Sequence, residues 1–548
     1  MVTPEEPVPA TRREGHFGDR VVTCFAERPA SFDAMFRSAV EAHPDRDAVV
    51  DGSRRLSFAE LDRLVSATAA GYRDLGLEPG CRLGLLIANR WQFLVALLAA
   101  VRADLIAVPL SVRAQTLELA YILNDCGARG LVYESGLAGR VPAPDAVPEL
   151  TLRIGLEGRC DGVDGSSVDS GGATVTFESL LAGAGSSTTA AVGGEEDTAV
   201  ILYTSGTTGH PKGAMLSHLN IVHSCLHYRH CFRLGPDDRA MLAVPASHVT
   251  GLIACIMAPL SAGGAVIVLE TFAVPEFLSL AAREAMTMTV MVPAMYKLCL
   301  LRANLPDYDL SAWRVGAYGG APMPPATIAA LADTLPRLAL ANAYGATETT
   351  SPTTVMPLGD KAARSDSVGR SLPCAEVRVM DDDGCEVDRG ETGEVWIGGP
   401  MVVAGYWNNP QATRDSFVGG FWRSGDIGAM SPDGYLRVFD RKKDMINRGG
   451  YKVFSAEVEN VLAAHATVAE AAVLSFADPV LGEKILAVVH PRDGVEDRDG
   501  LRSFCAARLS DYKVPDRFVF LDRPLPRNAN GKLMKAALRE SLEVDAGS

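Results

Sequence analysis

The chain has 548 residues, too many for one ordinary core, so two or more domains are expected. Its apolar content of 47% and charged content of 22% are those of a soluble globular protein. A net charge of −15 with no basic tract argues against a nucleic-acid partner, while leaving room for a local basic pocket around a phosphorylated ligand.

Residues 1–20 are rich in Pro, Glu and Arg and lack the apolar centre of a secretion signal. The most apolar window, 93–110, contains Arg102 and Asp104 and reads as a helix running into a strand, not as a membrane span. The 11 cysteines form no Cys-x-x-Cys pair, and reduced thiols in a cytoplasmic protein are expected. From 31 to about 134, helical and strand patterns alternate. Phe32, Phe36 and Val40 lie at helical spacing, as do Phe58, Leu61, Leu64 and Val65, and residues 82–88 and 106–110 are strand-like around a helix at 91–102. Such alternation predicts an α/β fold with a largely parallel sheet. Residues 135–197 read as loops around short elements, notably 176–181.

A buried strand is predicted over 198–202, followed by Tyr203-Thr204-Ser205-Gly206-Thr207-Thr208-Gly209-His210-Pro211-Lys212-Gly213. Hydroxyls, glycines and one lysine in one loop are the chemistry of a polyphosphate cradle. Glycines admit the anion to the backbone, Thr204, Ser205, Thr207 and Thr208 donate to its oxygens, and Lys212 supplies charge. Gly206 and Gly209 are among these glycines, and Pro211 stiffens the turn. The string is not the Walker loop, which ends in Gly-Lys-Ser/Thr.

Beyond it, His218, His223, His227 and His230 crowd one region, and the last three share a face of a predicted helix. No carboxylate or cysteine completes a ligand set, so partly exposed or hydrogen-bonded histidines are the better reading than a metal site. His248 stands in Val-Pro-Ala-Ser-His-Val-Thr-Gly before a strongly apolar helix, and Pro293 opens another helix after the strand at 287–292. The turn Gly319-Gly320-Ala321 after a strand lets a flat ring lie against backbone. In Tyr344-Gly345-Ala346-Thr347-Glu348-Thr349, Tyr344 offers an aromatic face to a base and Thr347 a hydroxyl to a phosphate. Glu348 is a hard oxygen ligand suited to Mg²⁺. The triplet 381–383 followed by Gly384 is expected to be a hairpin turn, not a calcium site. A small α+β domain follows, with a helix at 455–462, strands at 468–475 and 485–490 and a helix at 501–509. Near its end an Asn530-Gly531 turn presents Lys532.

Taken together, the 203–213 string, Val-Pro-Ala-Ser-His, Gly-Gly-Ala, Tyr-Gly-Ala-Thr-Glu, Ser-Gly-Asp at 424–426 and Asn-Gly-Lys at 530–532 stand in an order that resembles the adenylate-forming superfamily. That superfamily comprises acyl-CoA synthetases, peptide-synthetase adenylation domains and firefly luciferase, and the likeness runs from about residue 31 to 540. It implies a large N-terminal domain, 1–440, of two α/β sheet subdomains plus a β-rich subdomain, and a small α+β lid, 441–548. It implies that His248 lies by the acyl carboxylate and that 319–321, with Tyr344 and Gly345, line the adenine and acyl pocket. Asp426 would hold the ribose diol, with Arg441 a second ribose contact. Asp440 is implied as the hinge, Gly449 and Gly450 as lining the thiol tunnel, and Lys532 as the lysine that reaches carboxylate and α-phosphate. Asn447 stands where luciferase-like members carry lysine, which favours acyl transfer over light emission. Cys81 stands where aspartate is usual and Asp104 where glycine is usual.

The expected activity is an ATP-, Mg²⁺- and coenzyme A-dependent ligase for an apolar aliphatic or aromatic monocarboxylic acid, with ATP, the acid and CoA as its partners. The alternatives are loading of a separate acyl-carrier protein and a non-catalytic nucleotide-binding homologue. Only 16 residues follow Lys532 and no phosphopantetheine motif is present, so a fused carrier is not expected.

Overall fold

A computed structural model describes residues 8–157, 175–182, 193–204, 211–359, 364–527 and 533–542. The chain divides into two compact units, 1–377 with 397–422, and 378–396 with 423–548. The first unit is built on two large sheets. A seven-stranded sheet carries Arg82–Leu86, Ile106–Pro109, Ala128–Glu134, Leu152–Leu156 and Thr198–Thr204 among its strands, all parallel to one another. Lys212–Ser217 is added antiparallel at one edge. A nine-stranded sheet has a parallel centre formed by Asp47–Asp51, Ala265–Val268, Arg239–Leu242, Met288–Met291, Val315–Tyr318 and Ala339–Tyr344. The expected α/β class is what the chain adopts.

One continuous core takes side chains from both sheets and from the helices Phe32–Ala42, Phe58–Asp74, Trp91–Arg102 and His218–Phe232. Separate apolar clusters cover the sheets' outer faces. The helix Trp91–Arg102 is buried on every side after its first residue, as a helix held between two sheets must be. Its last residue is a fully buried arginine. Arg102 Nε donates to Asp33 Oδ1 at 2.8 Å, and Nη2 lies 2.7 Å from Asp62 Oδ1. The helix Phe58–Asp74 starts on a capping box of Ser57 and Glu60. Asp104 has φ +62°, the left-handed conformation that explains why glycine is usual there.

Residues 11–25 hold an element that composition conceals. Thr11–His16 and Arg20–Phe25 form an antiparallel hairpin. Arg28 ties it down by pairing with both Glu14 and Glu195. Arg20 reaches from it to the carbonyls of Val403 at 2.8 Å and Ala404 at 2.9 Å.

In the second unit, Ile446–Arg448, Tyr451–Val453, Val468–Asp478, Gly482–Pro491 and Arg517–Phe520 make a five-stranded sheet. Ser455–Ala463 and Arg498–Ala506 pack on one of its faces, and Lys535–Ser541 on the other. Asp381–Gly384 is a turn, with Asp381 Oδ1 accepting from the N–H groups of Asp383 and Cys385. No helix among the described residues is long and apolar enough to cross a membrane.

Candidate active site

Ligands of open α/β sheets bind at the carboxyl ends of parallel strands, and three of the singled-out segments leave the nine-stranded sheet at such ends. Gly319-Gly320-Ala321 follows Val315–Tyr318, and Gly345 to Thr349 follows Ala339–Tyr344. Tyr318 is paired with Asn342 in adjacent parallel strands. A Cβ on Gly319 would stand 2.5 Å from the carbonyl oxygen of Ala343, so the two turns lie against each other only because residue 319 is glycine. Gly320 takes φ +76°, and it and Ala321 are exposed. His248 follows Arg239–Leu242 in the same sheet. The N–H of Thr250 donates to its Nδ1 at 3.3 Å, which puts the proton of the neutral ring on Nε2. The apolar helix expected after it begins as a π-helix, Thr250–Met257, a wide coil that recurs at functional sites.

Thr347 and Glu348 sit in the short 3₁₀ turn Thr347–Thr349 and are buried. The next two residues, Thr350 at φ +51° and Ser351 at φ +38°, are in the left-handed region, each at a cost of about 1–3 kcal/mol that surrounding structure must offset. Tyr228 spans to this bend with its hydroxyl 3.0 Å from Ser351 Oγ.

The phosphate-cradle candidates Ser205, Gly206, Thr207, Thr208 and Gly209 lie outside the described residues, as does Lys532. The cradle's two ends are described. Thr204 ends one strand and Lys212 opens the next, facing each other across the antiparallel pair. Gly213 packs against Tyr203, where a Cβ would meet the ring at 3.0 Å. On the far side of Lys212–Ser217, residues 405–407 dock as a further edge. Trp407 N–H donates to Gly213 O at 2.7 Å and Met215 N–H to Gly405 O at 3.1 Å. That docking puts Tyr406, which sequence reasoning missed, against two of the candidate residues. Its hydroxyl donates to Glu348 Oε1 at 2.8 Å, and its ring centroid is 5.1 Å from Lys212 Nζ. Burial and the neighbouring carboxylate hold the Tyr406 phenol well above its usual pKa, so it stays protonated and donates. The only advance signal was an aromatic pair, Tyr406-Trp407, in a polar loop.

The other oxygen of Glu348 has no hydrogen-bond partner among the described residues. A buried carboxylate held by one oxygen is the donor chemistry a Mg²⁺ ion takes, so the residues present fit the metal. The helix-face histidines are hydrogen-bonded or simply enclosed. His223 Nε2 accepts from Phe25 N–H, its Nδ1 donates to Leu219 O, and His227 is fully buried.

In the second unit, Asp426 and Arg441 face each other on Phe421–Met430 and Leu436–Arg441. Asp440 accepts at Oδ2 from the hydroxyl of Ser455 at 2.7 Å and from its N–H, so it caps the helix that starts there. Gly449 and Gly450, at φ +59° and +90°, form the two-residue turn between Ile446–Arg448 and Tyr451–Val453.

Residues 36–407 match the family model of the AMP-binding enzyme, and 457–532 match that of the AMP-binding enzyme C-terminal domain. The chain belongs to the AMP-binding enzyme family. This AMP-binding enzyme is 35% identical to a feruloyl-CoA synthase of Amycolatopsis sp over 90% of its own length and 96% of the relative's. It is 32% identical to a long-chain-fatty-acid–CoA ligase of Mycobacterium tuberculosis, covering 92% and 97% of the two chains. The ATP-bound MatB of Rhodopseudomonas palustris superposes with a TM-score of 0.82 at 29% identity, over 94% of this chain and 99% of that one. The resemblance expected from the motifs is thus met by the AMP-binding enzyme family itself.

Proposed function

We propose that the chain is an ATP-dependent carboxylic acid:CoA ligase acting on an apolar aliphatic or aromatic monocarboxylic acid. The observation that carries this reading is Tyr406, which touches both Glu348 and Lys212, the carboxylate and the cation that a nucleotide triphosphate and its metal require. The relatives' names bear one aromatic and one long-chain acid. The segments 244–256, 315–321 and 342–355 supply mainly small or apolar side chains to the acyl pocket.

An acid oxygen attacks the α-phosphorus of ATP and pyrophosphate leaves with the electrons of the broken P–O bond. The thiolate of CoA then attacks the acyl carbon, and AMP leaves as the C–O bond breaks. Bringing anions together is the main barrier, so positioning and charge neutralisation carry the catalysis. Lys212 and the 204–209 loop bind the phosphates, Thr347 donates to one of them, and His248 orients the acid. Tyr344, Gly345 and residues 319–321 enclose the adenine, while Asp426 and Arg441 hold the ribose. Glu348 would hold Mg²⁺, which when bound neutralises phosphate charge. Lys532 contacts the carboxylate and α-phosphate. The working division is a body, 1–440, and a lid, 441–548, that turns at Asp440 and brings Gly449 and Gly450 to the thiol path. The setting is the cytoplasm.

The test is pyrophosphate release from ATP and Mg²⁺ across short, long and aromatic acids, with and without CoA. Release with an acyl-CoA product supports the proposal and identifies the acid. Adenylate formed without CoA turnover would move the acceptor to a separate acyl-carrier protein, and silence together with no ATP binding would end the enzyme reading.

A further inference from the structure

Tyr406 has two contacts of different kinds, and each falls on a group with a different duty. Its hydroxyl donates to one oxygen of Glu348, and its ring face lies 5.1 Å from the ammonium of Lys212. It is itself held by packing and pairing on several sides. Its backbone pairs with Ala214, its ring packs edge-on against Phe417 at 5.7 Å, and only 6% of it is exposed. The preceding residues are held from a third direction, because Arg20 donates to the carbonyls of Val403 and Ala404 while the N–H of Val403 donates to the carbonyl oxygen of Glu348. The carboxylate is therefore fixed at both its backbone and its side chain by one segment, 403–406. A hydrogen bond to one carboxylate oxygen leaves the other to point elsewhere, and a π face beside an ammonium limits where that flexible side chain rests.

From this geometry we infer that Tyr406 is a positioning residue. It orients Glu348 toward the divalent cation through its hydroxyl, and it steers Lys212 toward the phosphates through its ring. The inference rests on the proposed ligase function for its meaning, but the geometry can be tested without turnover. Tyr406→Phe keeps the ring and its packing and removes only the hydroxyl. Tyr406→Leu removes the ring as well.

The experiment is a titration of Mn²⁺ into the full chain with a non-hydrolysable ATP analogue, read by the magnetic resonance of free Mn²⁺. It is accompanied by thermal melting and, where turnover is found, by the KM for ATP. For Tyr406→Phe the expected result is a half-saturating Mn²⁺ concentration raised about tenfold, as loss of a hydrogen bond to a charged group implies, with the melting temperature unchanged. For Tyr406→Leu the expected result is an additional rise of a few-fold in the KM for ATP. Unchanged Mn²⁺ affinity in Tyr406→Phe overturns the hydroxyl's role, and a lowered melting temperature with unchanged affinity makes the residue merely structural. Equal KM values in the two variants overturn the role of the ring. Failure of the unmodified chain to release pyrophosphate with any acid would count against the ligase reading instead, and the Mn²⁺ titration would still decide the position of Glu348.

Discussion

Asp426 and Arg441 stand opposite one another on adjacent antiparallel strands, with Arg441 Nε 2.8 Å from Asp426 Oδ1. Ser424 closes the arrangement, accepting from Arg441 Nη1 at its carbonyl and from the N–H of Asp426 at its hydroxyl. The arginine therefore holds the carboxylate that the proposed function assigns to the ribose. Arg441→Ala is expected to raise the KM for ATP about tenfold with a smaller change in kcat, since a binding contact is lost more than a transition-state one. Initial rates against ATP concentration check this, and an unchanged KM would remove both residues from the nucleotide site.

Lys532 should act in one half-reaction only. Its replacement by alanine is expected to slow adenylate formation by on the order of a hundredfold, as removal of a preorganised charge does, while a supplied acyl-adenylate still reacts with CoA. Following the two half-reactions separately provides the check. Equal loss in both would contradict a role confined to the carboxylate and α-phosphate.

Arg102 ends a helix buried after its first residue, between two acidic partners. Truncating it strips the buried Asp33 of one of its two guanidinium partners, with Arg37 remaining at 2.7 Å, so Arg102→Ala should destabilise the protein by about 3 kcal/mol, the low end for a broken buried pair. Urea unfolding followed by far-ultraviolet circular dichroism measures this. A change under about 1 kcal/mol would mean that solvent reaches the pair on relaxation.

Two enclosed histidines predict acid sensitivity. Burial pulls the pKa of His223 down to about 4 and that of His227 down to about 3 from the ordinary 6.5. Both remain neutral in the folded state while the unfolded chain takes up protons below 6.5. The stability from their neutral burial is therefore complete above that pH and is lost as the pH falls toward 4 and then 3. The slope is up to about 1.4 kcal/mol per pH unit for each residue. The melting temperature should thus fall between pH 7 and 5, and His227→Leu should flatten the fall. A variant as acid-sensitive as the parent would refute the assignment.

The sequence by itself determined the α/β class, most element positions in the first unit and, through the order of its motifs, the family. Those signals are local. The helix 91–102 is written in one apolar run, and Gly319 and the 344–349 string carry their chemistry within a few residues. The hairpin at 11–25 went unread, because its first strand, Thr11–His16, is rich in charge and the pair is stabilised by Arg28 bridging to Glu195, far along the chain. Tyr406 was hidden for the same reason. Nothing in the Gly-Tyr-Trp-Asn stretch reveals that residues 405–407 will pair beside Gly213 and Met215, and only that long-range pairing brings a phenol to Glu348 and a ring to Lys212. Composition and period report which residues are able to act. Which of them meet was decided by hydrogen bonds between segments about two hundred residues apart, whose partners no local pattern encodes.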